Sequence, residues 1–313
     1  MEKYTLTPSK SNKDSIKYAR AYFSRHLKYE KFSSNAINLS SKITPTILPL
    51  INDGIQTIPS FWNRKLIEEI SVQVQDAFNE IPSITVRDYS NEIEYEGKKV
   101  NRKYIKLKFD SLNELKRKTS GVTLPDPLLK IPSIYKLILD EKFINLISAY
   151  YSATPKLTFL KVRHAFASEN YSPKDTQLWH YDPGSFRLLK VIIYLDDIID
   201  KSQGPFEYIK KSHSLDFNDP IYQTARMEDD FINKNFSSQM HSVLSNKEDL
   251  NIADATGIHR GLQPRKKDRT VLIANFCLHR EYGFKYKRVK IMKNDFNNFS
   301  DLGRALFDDV LVV

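Results

Sequence analysis

The chain has 313 residues, of which 41% are hydrophobic, 12% aromatic and 27% charged, a composition that excludes intrinsic disorder and leaves room for a sizeable core. Its formal net charge of +10 admits nucleic acid, an anionic surface or a negatively charged small molecule as partner, but no helix-turn-helix, zinc-finger spacing or RNP-type motif accompanies that charge. The single cysteine, Cys277, excludes an internal disulfide and a cysteine-rich metal site; it lies in an apolar run and reads as a buried structural thiol.

The opening residues lack the apolar core of a signal peptide, and no apolar stretch approaches the length of a membrane span, so a soluble, cytoplasmic protein is expected. Residues 13–31 place Ile16, Ala19, Tyr22, Phe23 and Leu27 at helical spacing. DGIQTIPSFW, at 53–62, predicts a short strand, a proline break and a helix starting at Ser60. That helix should run to about Glu80 with Leu66, Ile67, Ile70, Val74 and Phe78 on its buried side. Gly97 separates two strand-like runs at 94–109 and predicts a hairpin, and residues 127–150 predict helix, broken or restarted at Pro132.

From Lys156 the pattern changes to short segments rich in β-branched and aromatic residues: LTFLKVRHAF, QLWHYD, RLLKVIIYL, GPFEYI, NIADATGI and DRTVLIANF. Strands in series without intervening helices predict an antiparallel sandwich or barrel. Residues 215–250 are polar and irregular and read as an insertion of the kind that forms lids. With nine glycines and no linker or repeat, the chain reads as a single domain over 1–313. Its helical part, 1–95, would pack on a core at 96–290.

His180 and Asp182 stand two apart, so an extended backbone projects both from one face, and Pro183 favours that geometry at Asp182. A second histidine beside them would complete the two-nitrogen, one-oxygen facial set typical of non-haem Fe(II). By itself a His-x-Asp triplet is a weak signal. His259, at the end of NIADATGIH, is the best-placed second histidine, and Arg269 opens the next strand ten residues on. An arginine buried there needs an anion, and a dicarboxylate that chelates the metal at one end and meets Arg269 at the other accounts for both residues.

QLWHYD, RLLKVIIYLDDI, GPFEYIKKSH and the His259–Arg269 pair resemble the phytanoyl-CoA dioxygenase family, and DGIQTIPSFWNRKLIEEI resembles its N-terminal strand–helix entry. The likeness spans roughly residues 50–280. It implies a mainly β fold with flanking helices, a double-stranded β-helix (a jelly-roll, cupin-like barrel). It also implies a 2-oxoglutarate-dependent non-haem iron dioxygenase in which His180, Asp182 and His259 hold Fe(II) and 2-oxoglutarate and O₂ are co-substrates. A small or carrier-linked organic substrate would be hydroxylated, with release of succinate and CO₂. A carboxylate at Asp182 argues against a halogenase, which keeps that coordination position for halide.

Two departures stand out. Lys210-Lys211-Ser212-His213 replaces the family's usual Pro-Gly-Ser-His, and Gly261 stands where many members have a serine that helps hold the cosubstrate. Another hydroxyl, Thr256 or Tyr194, would then assist Arg269, with Gln177 a further candidate for cofactor contact. Lys161 and Arg163 alternate with apolar residues and offer a cationic strand face for an acidic substrate. His164 and His213 read as structural, and the run Arg265-Lys266-Lys267 as a solvated loop. Two other classes stay open: a jelly-roll binding protein without turnover, and a basic nucleic-acid or membrane-surface binder. Oligomeric state is not written in the sequence.

Overall fold

An apolar strand can be covered by a helix or by another sheet, and this chain uses both. The computed structural model describes residues 19–29 (other than 21 and 26), 45–80, 83–88, 103–108, 111–117, 119–169, 173, 175–182, 187–215, 226–278 and 288–313. Strands β1 (Ile55–Ile58), β2 (Ser83–Asp88), β3 (Lys103–Lys108), β4 (Gly121–Leu124), β5 (Lys156–Ala165) and β6 (Leu189–Tyr194) are followed by β7 (Phe206–Ile209), β8 (Met240–Ser242), β9 (Leu250–Asp254), β10 (His259–Gly261) and β11 (Arg269–Cys277). The main sheet has six antiparallel strands in the order β1-β9-β6-β11-β5-β4, and a smaller sheet has the order β10-β7-β8.

The jelly-roll barrel expected from the sequence is not formed. The edges of the main sheet, β1 and β4, do not pair with each other, and among the described residues no sheet closes or curls strongly. Helical residues outnumber strand residues among those described, giving a mixed α/β fold. The physical reason lies in what covers the outer face of the main sheet. Leu160, Val162, Leu189, Val191, Ile193, Leu272 and Phe276 share one large core with residues of helices α1 (Arg64–Asn79) and α2 (Glu141–Tyr151). QLWHYD, read as a strand, contributes only isolated bridges at Trp179 and His180.

Local sequence accounts for the helices. Asn63 caps α1 by accepting from Lys65 N and Leu66 N, and Ile67, Ile70, Val74, Ala77 and Phe78 form its buried stripe. Asp140 caps α2 in the same way through Phe143 N. Between them, helical residues 127–150 are divided into Pro127–Lys130, Ile134–Ile138 and α2, with the breaks around Pro132 and Asp140. The hairpin takes a different pairing: Lys103–Lys108 returns against Ser83–Asp88, and Gly97 lies outside the described residues.

In the helix near residue 25, Phe23 and Leu27 are 62% and 75% exposed rather than buried. Arg25 is buried instead, donating to the carbonyls of Thr154, Pro155 and Ala305 and pairing with Asp308. That guanidinium, together with Tyr22 packed against the main core, fixes the helix to the body. Among the described residues no helix is long and apolar enough to cross a membrane.

Opposed residues in an antiparallel pair share a face, so the register gives the inner face of the main sheet directly. It carries Lys190, Ile192 and Tyr194 on β6, Arg269, Val271, Ile273 and Asn275 on β11, and Lys161 and Arg163 on β5. Ile192, Tyr194 and Val271 pack there against Phe206, Tyr208 and Val243 of the small sheet and its flank. The two sheets therefore face each other across a thin apolar layer.

Candidate metal centre

The small sheet carries His259 at the start of β10, opposite Tyr208 of β7. His180 reaches it through a two-way backbone bridge: His180 N donates to His259 O at 2.9 Å and His259 N to His180 O at 2.7 Å. Asp182 N then donates to Ala255 O at 2.9 Å, which carries the extended run two residues on and puts its carboxylate on the same side. Gly257 is required beside them, because a Cβ there would run into the hydroxyl of Tyr208.

Each imidazole is oriented by a carbonyl. His180 Nδ1 lies 2.8 Å from Leu178 O and His259 Nδ1 lies 2.8 Å from Gly257 O. A carbonyl only accepts, so both Nδ1 atoms carry the hydrogen and both Nε2 atoms present a lone pair. His180 Nε2 is 3.9 Å from Asp182 Oδ1, His259 Nε2 is 3.7 Å from Asp182 Oδ2, and the ring centroids are 4.4 Å apart. One ligand atom from each of the three lies within 4.8 Å of the others.

The electrostatics keep these groups in ligand form. Burial pushes the His180 imidazole well below its ordinary value, and the neighbouring His259 adds to this against the pull of Asp182. Burial lowers His259 too, with Lys190 adding to it. For Asp182, burial alone would raise the carboxyl, but the Lys190 ammonium beside it holds it well below the usual carboxylate range. Two neutral imidazoles and one carboxylate result, the donor set suited to a divalent iron-class ion.

Arg269 opens β11 on the inner face, 6% exposed, with its Nε buried and without a hydrogen-bond partner. No carboxylate lies within ion-pair distance of it among the described residues. Burial, with Arg163 adding its like charge, lowers its pKa to about 10. Tyr194 lies beside it on the inner face, but its hydroxyl accepts from Phe206 N at 2.8 Å and donates to Val243 O at 3.3 Å; burial raises it to about 12. Thr256 donates its hydroxyl to Asp254 at 2.7 Å, and Gln177 binds Gln263. Lys161 and Arg163 lie half-buried along the same face as Arg269. Away from the centre, His164 bonds Thr270 and His213 bonds Ile51 O.

Two groups of residues at the centre escaped the sequence reading. Lys190, 9% exposed, places Nζ 2.7 Å from Asp182 Oδ2 and 2.7 Å from His259 Nε2. Its signal was present as the one charge inside LLKVIIYL. On the outer side, Arg260 donates to Glu207 at 2.8 Å, pairs with Asp229 and stacks over Trp179 at 4.3 Å. Trp179 Nε1 also donates to Asp229 at 2.9 Å, so helix α3 (Asp229–Phe236) is fastened to the residues that flank His180 and His259.

No family model matches the sequence, and no curated protein matches it. Solved structures do. The non-heme alpha ketoglutarate dependent epimerase SnoN from nogalamycin biosynthesis aligns with a TM-score of 0.53 at 16% identity, over 76% of this chain and 83% of that one. SnoN in complex with Fe3+, alpha ketoglutarate and nogalamycin RO gives 0.51 at 14%, over 76% and 84%. The non-heme alpha ketoglutarate dependent carbocyclase SnoK from the same biosynthesis gives 0.50 at 13%, over 74% and 82%. At such identities the likeness is one of fold. Independently of that likeness, His180, Asp182 and His259 form a cluster that could hold a metal ion.

Proposed function

We propose that this protein is an Fe(II)- and 2-oxoglutarate-dependent oxygenase that hydroxylates a small or carrier-linked organic substrate. The observation that carries the reading is the convergence of His180, Asp182 and His259, each imidazole held by a carbonyl with its Nε2 turned to the shared point. His180, Asp182 and His259 would hold Fe(II), a use that suits their donor set. The buried Nε of Arg269 without a partner suits a carboxylate, and the far end of 2-oxoglutarate is the group assigned to it.

When bound, Fe(II) with 2-oxoglutarate and O₂ supplies the oxidising chemistry: one oxygen atom goes to the C–H bond of the substrate and one to succinate, with loss of CO₂. The residues of this chain do the rest. The Leu178 and Gly257 carbonyls keep the imidazoles aimed, and burial keeps them neutral. Ile192, Val271 and Phe206 keep the floor apolar, which limits water. Lys161 and Arg163 continue the cationic face beyond Arg269 and would meet an anionic part of the substrate. Tyr194 keeps its place as a wall beside Arg269, while Thr256 and Gln177 act as braces through Asp254 and Gln263.

The test is anaerobic titration of the full chain with Fe(II) and 2-oxoglutarate, followed by admission of O₂ and measurement of succinate. Succinate formed by the wild type and lost in His180→Ala and His259→Ala supports the oxygenase. Metal and 2-oxoglutarate binding without succinate would make it a binding protein, and no metal binding would remove the reading altogether.

A further inference from the structure

Lys190 is the one charged residue of a strand that is buried along its whole length. A lysine is rarely enclosed in this way unless its charge has a partner, and here the partners are Asp182 and the lone pair of His259. Both belong to the set that would hold iron. Among the described residues Asp182 is the sole carboxylate within ion-pair distance of Lys190.

The charge count follows. A divalent ion held by His180, Asp182 and His259 beside Lys190 leaves the centre two positive charges in excess, at low dielectric. The dianionic form of 2-oxoglutarate offsets this excess, and the charge of Arg269 at its far end, to within one unit. Each ligand therefore lowers the electrostatic cost of the other, and Lys190 sets the size of that coupling. Asn275 gives the lysine somewhere to turn when His259 Nε2 is engaged by metal. It lies directly opposite Lys190 in the β6–β11 register, is 8% exposed, and its Oδ1 is buried without a hydrogen-bond partner.

We propose that Lys190 is a positioning residue that makes metal binding depend on the anionic cosubstrate, holding Asp182 Oδ2 throughout and exchanging His259 Nε2 for Asn275 Oδ1. This rests on the iron and 2-oxoglutarate reading above. In it, the metal alone binds weakly, and metal with 2-oxoglutarate binds tightly.

Co²⁺ affinity of the full chain, measured by competition with a chromogenic chelator with and without 2-oxoglutarate, tests it without turnover. In Lys190→Met, Co²⁺ alone should bind about tenfold more tightly, and the tightening by 2-oxoglutarate should shrink by about tenfold or more, the size of effect a unit charge produces a few ångströms away. Lys190→Arg should keep the wild-type coupling. Unfolding curves confirm that each variant folds, and Lys190→Gln takes the place of Lys190→Met if the latter does not. Equal coupling in wild type and Lys190→Met overturns the proposal, as does loss of coupling in Lys190→Arg, which would assign the residue to packing. Wild-type Co²⁺ binding unchanged in His259→Ala would instead sink the metal-centre reading, and this inference with it.

Discussion

Arg269→Met should strengthen the fold and cripple the site. Its guanidinium is buried, its Nε has no partner among the described residues, and burial lowers its pKa from the ordinary arginine value to about 10. At roughly 1.4 kcal/mol per factor of ten in proton affinity, that difference amounts to about 3 kcal/mol held against the charged form. Methionine fills similar space without the charge. Part of the gain goes to imperfect packing of the new side chain, leaving about 1–2 kcal/mol of added stability in the ligand-free protein. The same change removes the charge-assisted contact assigned to 2-oxoglutarate. A bidentate, desolvated arginine–carboxylate pair contributes about 2–5 kcal/mol, so affinity should fall by roughly thirtyfold or more. Urea unfolding at constant m-value reads the first effect, and calorimetric titration of 2-oxoglutarate with Co²⁺ reads the second. Opposite signs are the signature of a residue kept for binding. A variant that loses stability while binding 2-oxoglutarate normally would refute the reasoning and make Arg269 a structural residue.

Three further outcomes are expected. His180→Ala and His259→Ala should each weaken Co²⁺ binding at least a hundredfold by chelator competition, because each removes one of three donors. The pH dependence has a definite sign: burial lowers both imidazoles, so they stay neutral where an ordinary histidine would already be charging. Co²⁺ affinity should therefore hold from pH 8 to about 6.5 and slightly below, whereas a steep loss centred at 6.5 or above would contradict it. By the same linkage the unfolded chain takes up protons first below about 6.5, so metal-free stability should fall as pH drops through that value. Finally, Arg260→Met strands the buried Glu207, which among the described residues keeps only Ser242 and a distant Lys201, and should cost about 2–4 kcal/mol in urea unfolding. Adding Glu207→Met to it should recover most of that loss; a double variant no better than the single would show that the pair is not what the stability depends on.

Periodicity made the His180–Asp182–His259 cluster legible and the architecture only partly so. His180 and Asp182 were readable because a two-residue spacing has one meaning in extended backbone, and His259 because a strand opening on Arg269 follows it. The barrel was not readable. β6 is buried on both faces, and a doubly apolar strand does not say whether a helix or a second sheet covers its outer side. Here the helices α1 and α2 cover it, and the small sheet meets only the inner side. Lys190 was passed over because one cation in an apolar run reads as a strand residue until its register partner, Asn275, is known. The ties of Thr256 to Asp254 and of Gln177 to Gln263 depend on contacts far apart in sequence, which spacing does not reveal.

The division of labour between the two sheets gives the site its dimensions. The histidines belong to the bridge at the edge of the small sheet, whereas Arg269, Arg163, Lys161 and Lys190 stand on the inner face of the large one. Neither sheet carries both halves. Their separation is fixed by the apolar layer of Ile192, Val271, Phe206 and Tyr208, and by the hydrogen bond from Phe206 N to the Tyr194 hydroxyl, which joins the sheets between His259 and Arg269. Phe206 also packs its ring 5.3 Å from that of His259, so a shift of the small sheet would move one member of the His/His/Asp cluster directly. His259 and Arg269 are thus held by the two sheets, and His180 and Asp182 by the backbone bonds that tie their irregular segment to His259 and Ala255, so the tolerance for displacement is small. Tyr194→Phe therefore tests the frame and not the chemistry. It removes the acceptor for Phe206 N, leaves both charges in place, and should loosen 2-oxoglutarate and Co²⁺ measured without it together, where loss of Arg269 leaves binding of Co²⁺ alone unweakened.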